Sequence, residues 1–300
     1  MPEPFHPDLR RAARFLPRAA VGPRSLPLVR ALGRLGAVAS RSKAEVVAVS
    51  EAVSVRVARP AATTDPAPAL LWIHGGGLVI GSAAMDDDFC RRVARELGVV
   101  VASVEYRLAP EHPFPAPLHD CYAGLEWLAG QPGVDPRRIA VGGASAGGGL
   151  AAALALLARE RGEIHPAFQL LVYPMLDDRT VSDPPGVAGR LRMWNAAANR
   201  FGWRSYLGAA TAGEVPPLAA PARAEDLTGL PPAWIGVGTL DLFLDEDRAY
   251  ARRLGEAGVP VELHEVPGAY HGFDMAQRKA GVSREFVGRQ VAALAAALKT

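Results

Sequence analysis

The sequence predicts an α/β protein: one mostly parallel sheet of about eight strands, flanked by helices and carrying a helical cap. Three observations carry this prediction. Short apolar runs of strand length alternate along the chain with longer helical stretches, as in a sheet built from strand–helix–strand units. A run of glycines joins one such strand directly to an Ala/Leu-rich helix. Two Pro-, Gly- and Arg-rich segments, about 1–43 and 177–231, fall outside the alternation and suit a cap at one end of the sheet.

The elements follow in order. Residues 46–50 and 52–58 alternate apolar and polar positions, the pattern of a hairpin-like start at a sheet edge. Residues 60–68 are a Pro/Ala/Thr loop, and 69–73 are a continuous apolar run that suits a strand buried on both faces. Residues 86–97 open with acids and read as a helix, which complements its dipole. A buried strand follows at 99–104, then an irregular Pro-rich connection at 106–116, a helix at 118–129 and a short strand at 138–141. The glycine run 142–149 leads into a helix over 150–159, and 168–173 is a strand that stops at Pro174. Within 177–231 a helix is expected over 194–207 and no sheet strand. The alternation resumes with a strand at 233–238, a helix at 245–256, a strand at 259–266 and a closing helix at 284–298. No repeat or linker marks a second unit, so 1–300 reads as a single domain with its cap.

Bulk properties exclude several classes. A formal net charge of +2 gives no basis for nucleic-acid binding. Cys90 and Cys121 sit in no metal-ligand pattern and form no disulfide framework, which fits a reducing cytoplasm. No apolar run is long enough for stable membrane insertion. The arginines of residues 1–43 have no apolar core or cleavage pattern beside them, and prolines interrupt the segment. It is expected to form short amphipathic helices of the folded protein.

The chemistry centres on Gly143-Ala144-Ser145-Ala146-Gly147. A Ser on a sharp strand-to-helix turn stands exposed at the sheet's C-terminal edge, and the Ala146 N–H at the helix start faces a developing oxyanion. Such a nucleophile needs a base and an orienting acid, each on a loop after a later strand. His271 follows the last strand. His264 lies inside that strand, and His165 precedes a strand at the wrong end of the sheet. Asp241 follows the 233–238 strand, whereas Asp245, Glu246 and Asp247 are explained by capping and the helix dipole. His74-Gly75-Gly76-Gly77 ends the 69–73 strand, and its glycines let backbone N–H groups converge beside the nucleophile. His74 is expected to anchor that loop.

These residues, with Tyr106-Arg107-Leu108-Ala109-Pro110-Glu111 and Tyr270-His271-Gly272-Phe273, make the chain resemble the bacterial hormone-sensitive-lipase-like carboxylesterases of the α/β-hydrolase fold. The resemblance runs from about residue 45 to the end. It implies a Ser145–Asp241–His271 triad, an oxyanion hole of Gly76, Gly77 and Ala146, short-to-medium acyl ester substrates, no cofactor or metal, and homodimers in many members. Leu78, Trp194, Trp203, Tyr206 and Phe243 are expected as pocket walls. Two positions depart from the family pattern: Ala144 stands where Asp is frequent, and Leu242 where Pro often follows the acid. The residues alone leave open amide or lactam hydrolysis by the same triad, and a ligand-binding protein on the same scaffold.

Overall fold

In the computed structural model, residues 4–19, 21–39, 44–61, 65–187, 189–208 and 214–299 are described, of 34–39 the backbone alone. Parts of the expected cap segments, residues 1–3, 20, 40–43, 188 and 209–213, lie outside them. The chain runs α1 (Arg10–Ala13), α2 (Leu26–Ala39), β1 (Glu45–Ala48), β2 (Ser54–Ala58), β3 (Ala67–Ile73), α3 (Asp87–Leu97), β4 (Val100–Glu105), α4 (Ala116–Ala129), β5 (Val134–Ala144) and α5 (Ala146–Arg161). It continues with β6 (Phe168–Val172), α6 (Ala196–Leu207), β7 (Ala233–Leu240), α7 (Leu244–Glu256), β8 (Val261–Tyr270), α8 (Phe273–Ala276) and α9 (Gly281–Leu298).

The eight strands form one sheet in the order β1-β2-β4-β3-β5-β6-β7-β8. β1 pairs antiparallel with β2, and β2 antiparallel with β4. From β4 to β8 every pair is parallel. Period-two side-chain direction divides the core. Ala69, Leu71 and Ile73 of β3 join one cluster with α4, α5 and α7, while Leu70 and Trp72 join the other with α3 and α9. β3 and β5 therefore lie at mid-sheet with both faces covered, and the loops after them meet at the C-terminal edge.

Two strands outrun their sequence signal. β5 begins at Val134, where pairing with Ala67 precedes a register shift, and β8 continues to Tyr270 across a shift opposite Gly238 and Leu240. The described N-terminal residues reach the second non-alternating segment directly. Arg192 Nε donates to the Ala13 carbonyl (2.5 Å), and the Met193 amide to the Pro17 carbonyl (2.8 Å). α2 is tied to the loops after β3 and β4 by Arg30, whose guanidinium donates to the carbonyls of Val79 and Ala109 and to Glu111, each at 2.7 Å.

Candidate active site

Ser145 sits between β5 and α5 with φ 57° and ψ −120°, a conformation that costs a side-chain-bearing residue of order 1–3 kcal/mol. The surroundings hold it there. Its amide donates to the Val172 carbonyl (2.8 Å), and its carbonyl accepts from the Gly149 and Met175 amides, each at 3.0 Å. The turn closes only because Gly147 has no side chain: a Cβ there would lie 2.0 Å from the Ile73 carbonyl oxygen.

Beside Ser145 the structure brings together two residues distant in sequence. His271 Nε2 stands 2.9 Å from Ser145 Oγ, and His271 Nδ1 stands 2.8 Å from Asp241 Oδ2. A carboxylate oxygen accepts only, so Nδ1 carries the proton and the Nε2 lone pair faces the hydroxyl. Asp241 is fixed in turn by the Phe243 amide, which donates to its Oδ1 (3.0 Å). All three residues are buried, at 6% (Ser145), 1% (Asp241) and 7% (His271) exposure. The imidazole makes edge-to-face contacts with two rings, Tyr173 at 4.8 Å and Phe243 at 5.2 Å between centroids. His264 takes no part: it stacks with Trp234 and Phe286 inside the β8 region. His165 is exposed ahead of β6.

The loop after β3 supplies backbone donors. Gly76 and Gly77 have φ of 123° and 59°, and among the described residues no acceptor is bonded to their amides or to the Ala146 amide that opens α5. Helix α5 is 16 residues long, so its N-terminus adds the positive end of a helix dipole. His74 holds this loop as a neutral anchor. Its Nδ1 donates to the Gly75 carbonyl (2.8 Å), its ring stacks on Tyr106 at 4.2 Å, and the Tyr106 hydroxyl donates to the His74 carbonyl (3.0 Å). Complete burial pushes its imidazole down to about 4. Tyr106 belongs to the second sequence motif, whose Arg107 forks onto Asp120 and whose Glu111 meets Arg30.

The five expected wall residues are all buried. Phe243 flanks His271. Leu78 follows the glycines with φ 68°, and its carbonyl accepts from the Ala109 amide (3.0 Å). The six-membered ring of Trp194 packs against the glycine loop after β3: a Cβ on Gly77 would lie 2.0 Å from its Cη2. Trp203 and Tyr206 of α6 pack together, and Tyr206 also meets Phe114 edge-on.

The sequence reading missed a buried chain of bonds behind that indole. Trp194 Nε1 donates to Asn199 Oδ1 (3.1 Å), Asn199 Nδ2 to the Thr180 carbonyl (2.8 Å), and the Thr180 hydroxyl to Glu246. Glu246 also accepts from the Leu176 and Asp177 amides at 2.7 and 3.2 Å. Glu246 and Asp247 are therefore interior groups, and capping does not account for them. Burial raises the Glu246 carboxyl to about 8 and drives that of Asp247 well above its ordinary range. Their position three and four residues past Phe243 on α7, facing inward, was the one available signal.

A Ser on a strand-to-helix turn hydrogen-bonded to a His–Asp pair, with unbonded amides opposite, is the arrangement a serine hydrolase on a parallel sheet requires. The α/β-hydrolase fold family model matches residues 70–275, and the chain belongs to that family, in its hormone-sensitive-lipase-like branch of carboxylesterases. It is thus an enzyme that hydrolyses carboxylic esters. Esterase LipI of Mycobacterium tuberculosis is 40% identical over 228 residues, covering 74% of this chain and 71% of its own length. Carboxylesterase NlhH of the same organism is 38% identical, with 82% and 79% covered. The solved structure of a bacterial heroin esterase superposes with a TM-score of 0.88 at 41% identity, over 99% of this chain and 98% of its own.

Proposed function

We propose that ester hydrolysis here runs through an acyl-enzyme on Ser145, with His271 as general base and Asp241 as its orienting acid. The observation that supports this most is the continuous geometry Ser145 Oγ–His271–Asp241, at 2.9 and 2.8 Å. Ser145 Oγ attacks the ester carbonyl as its proton passes to Nε2. The Gly76, Gly77 and Ala146 amides stabilise the tetrahedral oxyanion. His271 then gives the proton to the departing alcohol oxygen. Water, deprotonated by the same nitrogen, attacks the acyl group and frees Ser145 and the carboxylic acid. Asp241 stabilises the imidazolium without taking its proton.

The substrate in this reading is a small-molecule ester with a short-to-medium acyl group. Leu78, Trp194, Trp203, Tyr206 and Phe243 frame its pocket beneath a cap drawn from about 1–43 and 177–231. Both cysteines are free and buried, which favours a reducing cytoplasm. Among the described residues no helix is long and apolar enough to cross a membrane. Exposed Phe15, Leu28 and Leu32 on the N-terminal segment favour a homodimer, which light scattering tests. The catalytic reading is tested with p-nitrophenyl esters from acetyl to palmitoyl, using wild type beside Ser145→Ala. Turnover highest at short or medium chains and absent in the variant supports it. Equal turnover in the two proteins overturns it.

A further inference from the structure

His271 has a second acidic neighbour besides Asp241. Tyr173, the first residue past β6, is held at φ 37° with its amide bonded to the Gly236 carbonyl (2.7 Å), and its ring makes an edge-to-face contact with His271. Its hydroxyl donates to Asp274 Oδ1 (2.8 Å) at the start of α8, three residues past His271. Asp274 lines a cavity of about 180 Å³ behind the nucleophile elbow, which Ala144, Tyr173, Asp86 and Gln290 also line. The position before the Ser offers only a methyl group there, so the acidic groups of this cavity come from α8, α3 and the turn that leads into α3.

We propose that Asp274 is a positioning residue for His271. It anchors the Tyr173 ring against the imidazole and sets a second carboxylate near the charge that forms there when Ser145 is deprotonated. This inference rests on the reading of His271 as the base.

The electrostatic case follows from what surrounds the two groups. Desolvation raises the Asp274 carboxyl, while the Tyr173 hydroxyl and the Asp274 and Met275 amides favour its charged form, as does the charge of His271. Coupling of this kind is mutual, so a charged Asp274 favours the imidazolium. The other groups at the cavity are Asp86 and Asp88 near α3, Arg92 of α3, Arg278 after α8 and Arg284 of α9. Asp86 is bonded to Trp72 Nε1 (2.9 Å), and Arg278 is paired with Asp88 (2.8 Å). Tyr173, hydrogen-bonded to Asp274 and in ring contact with His271, therefore remains the link between the two.

Asp274→Asn keeps the shape and an acceptor for Tyr173 and removes only the charge. Profiles of kcat/KM against pH are compared for wild type, Asp274→Asn and Tyr173→Phe on one p-nitrophenyl ester. In Asp274→Asn the acid limb is expected to move to lower pH by about half a unit to one unit, because the protonated base has lost a favourable neighbour. Plateau kcat falls roughly three- to tenfold with KM little changed. Tyr173→Phe, which takes a donor from the carboxylate, moves the limb the same way by less. A lower plateau with the acid limb unmoved in both variants overturns the proposal and leaves Asp274 a structural residue. His271→Ala, measured alongside, separates the two readings: wild-type turnover there refutes the base itself, whatever Asp274 does.

Discussion

Gly77→Ala tests the proposed oxyanion loop where it meets the Trp194 indole. Gly77 has φ 59°, a left-handed conformation that costs an alanine about 1–2 kcal/mol. The new methyl would also lie 2.0 Å from Trp194 Cη2. Carbon atoms pack at about 3.5–4.0 Å, so one partner must yield by roughly 1.5 Å or more. The indole has little freedom, being 3% exposed and bonded through Nε1 to Asn199 at 3.1 Å. Overpacking of this kind costs about 1–3 kcal/mol, which brings the total loss of stability to roughly 2–5 kcal/mol. If the loop yields, the Gly77 amide leaves its place and kcat falls by about 10²–10³. Urea unfolding and p-nitrophenyl butyrate kinetics read the two effects separately. Adding Trp194→Ala removes the overlap, so the double variant should unfold less easily than additivity predicts, by about 1 kcal/mol or more. A folded Gly77→Ala enzyme with wild-type kcat refutes the argument.

Three further outcomes follow. His271→Ala is expected to lose on the order of 10⁴–10⁶ in kcat. His264→Ala keeps its turnover and loses only about 1 kcal/mol of stability with its stacking partners; the reverse pattern on p-nitrophenyl acetate removes His271 from the site. His74 binds its proton less readily folded than unfolded, so its contribution to stability is lost as pH falls from about 6.5 to about 4. Wild type should therefore lose up to about 3 kcal/mol relative to His74→Gln between pH 7.5 and 4, and parallel unfolding curves contradict this. Glu246 has the opposite sign, because its folded value is raised to about 8. The stability it contributes is present below about 4.5 and lost as pH rises through 8, so Glu246→Gln should gain on wild type by up to about 4 kcal/mol between pH 5 and 9. A constant difference between these two proteins across that range refutes the burial argument.

The sheet was legible because a strand covered on both faces is written as a continuous apolar run, as in Leu70, Leu71, Trp72 and Ile73. Its ends were less so. Gly147, Gly148 and Gly149 have poor helix propensity, yet all three are buried within α5, where close approach to β3 and to the loop after β6 decides the matter. The positions of Ser145, Asp241 and His271 could be read because each follows a strand at one edge of the sheet, a rule tied to chain order. The supports around them follow no such rule. Tyr173 and Asp274 are 101 residues apart, and Arg30 and Val79 are 49 apart. Glu246 reads locally as a favourable acid near a helix start, and only the packing of α7 against the loop after β6 turns it inward. Trp194 reads as a pocket aromatic for the same reason: the sequence shows a large ring and does not show that Gly77 lies beneath it.

Catalysis as proposed requires Ser145 to become covalently acylated. The direct measurement is intact-protein mass spectrometry after brief exposure to a reactive phosphonate ester, followed by peptide mapping. One phosphonyl group per chain is expected, carried on the peptide containing Ser145, in step with loss of esterase activity and absent from Ser145→Ala. Labelling of another residue, or complete inactivation with Ser145 unmodified, would contradict it.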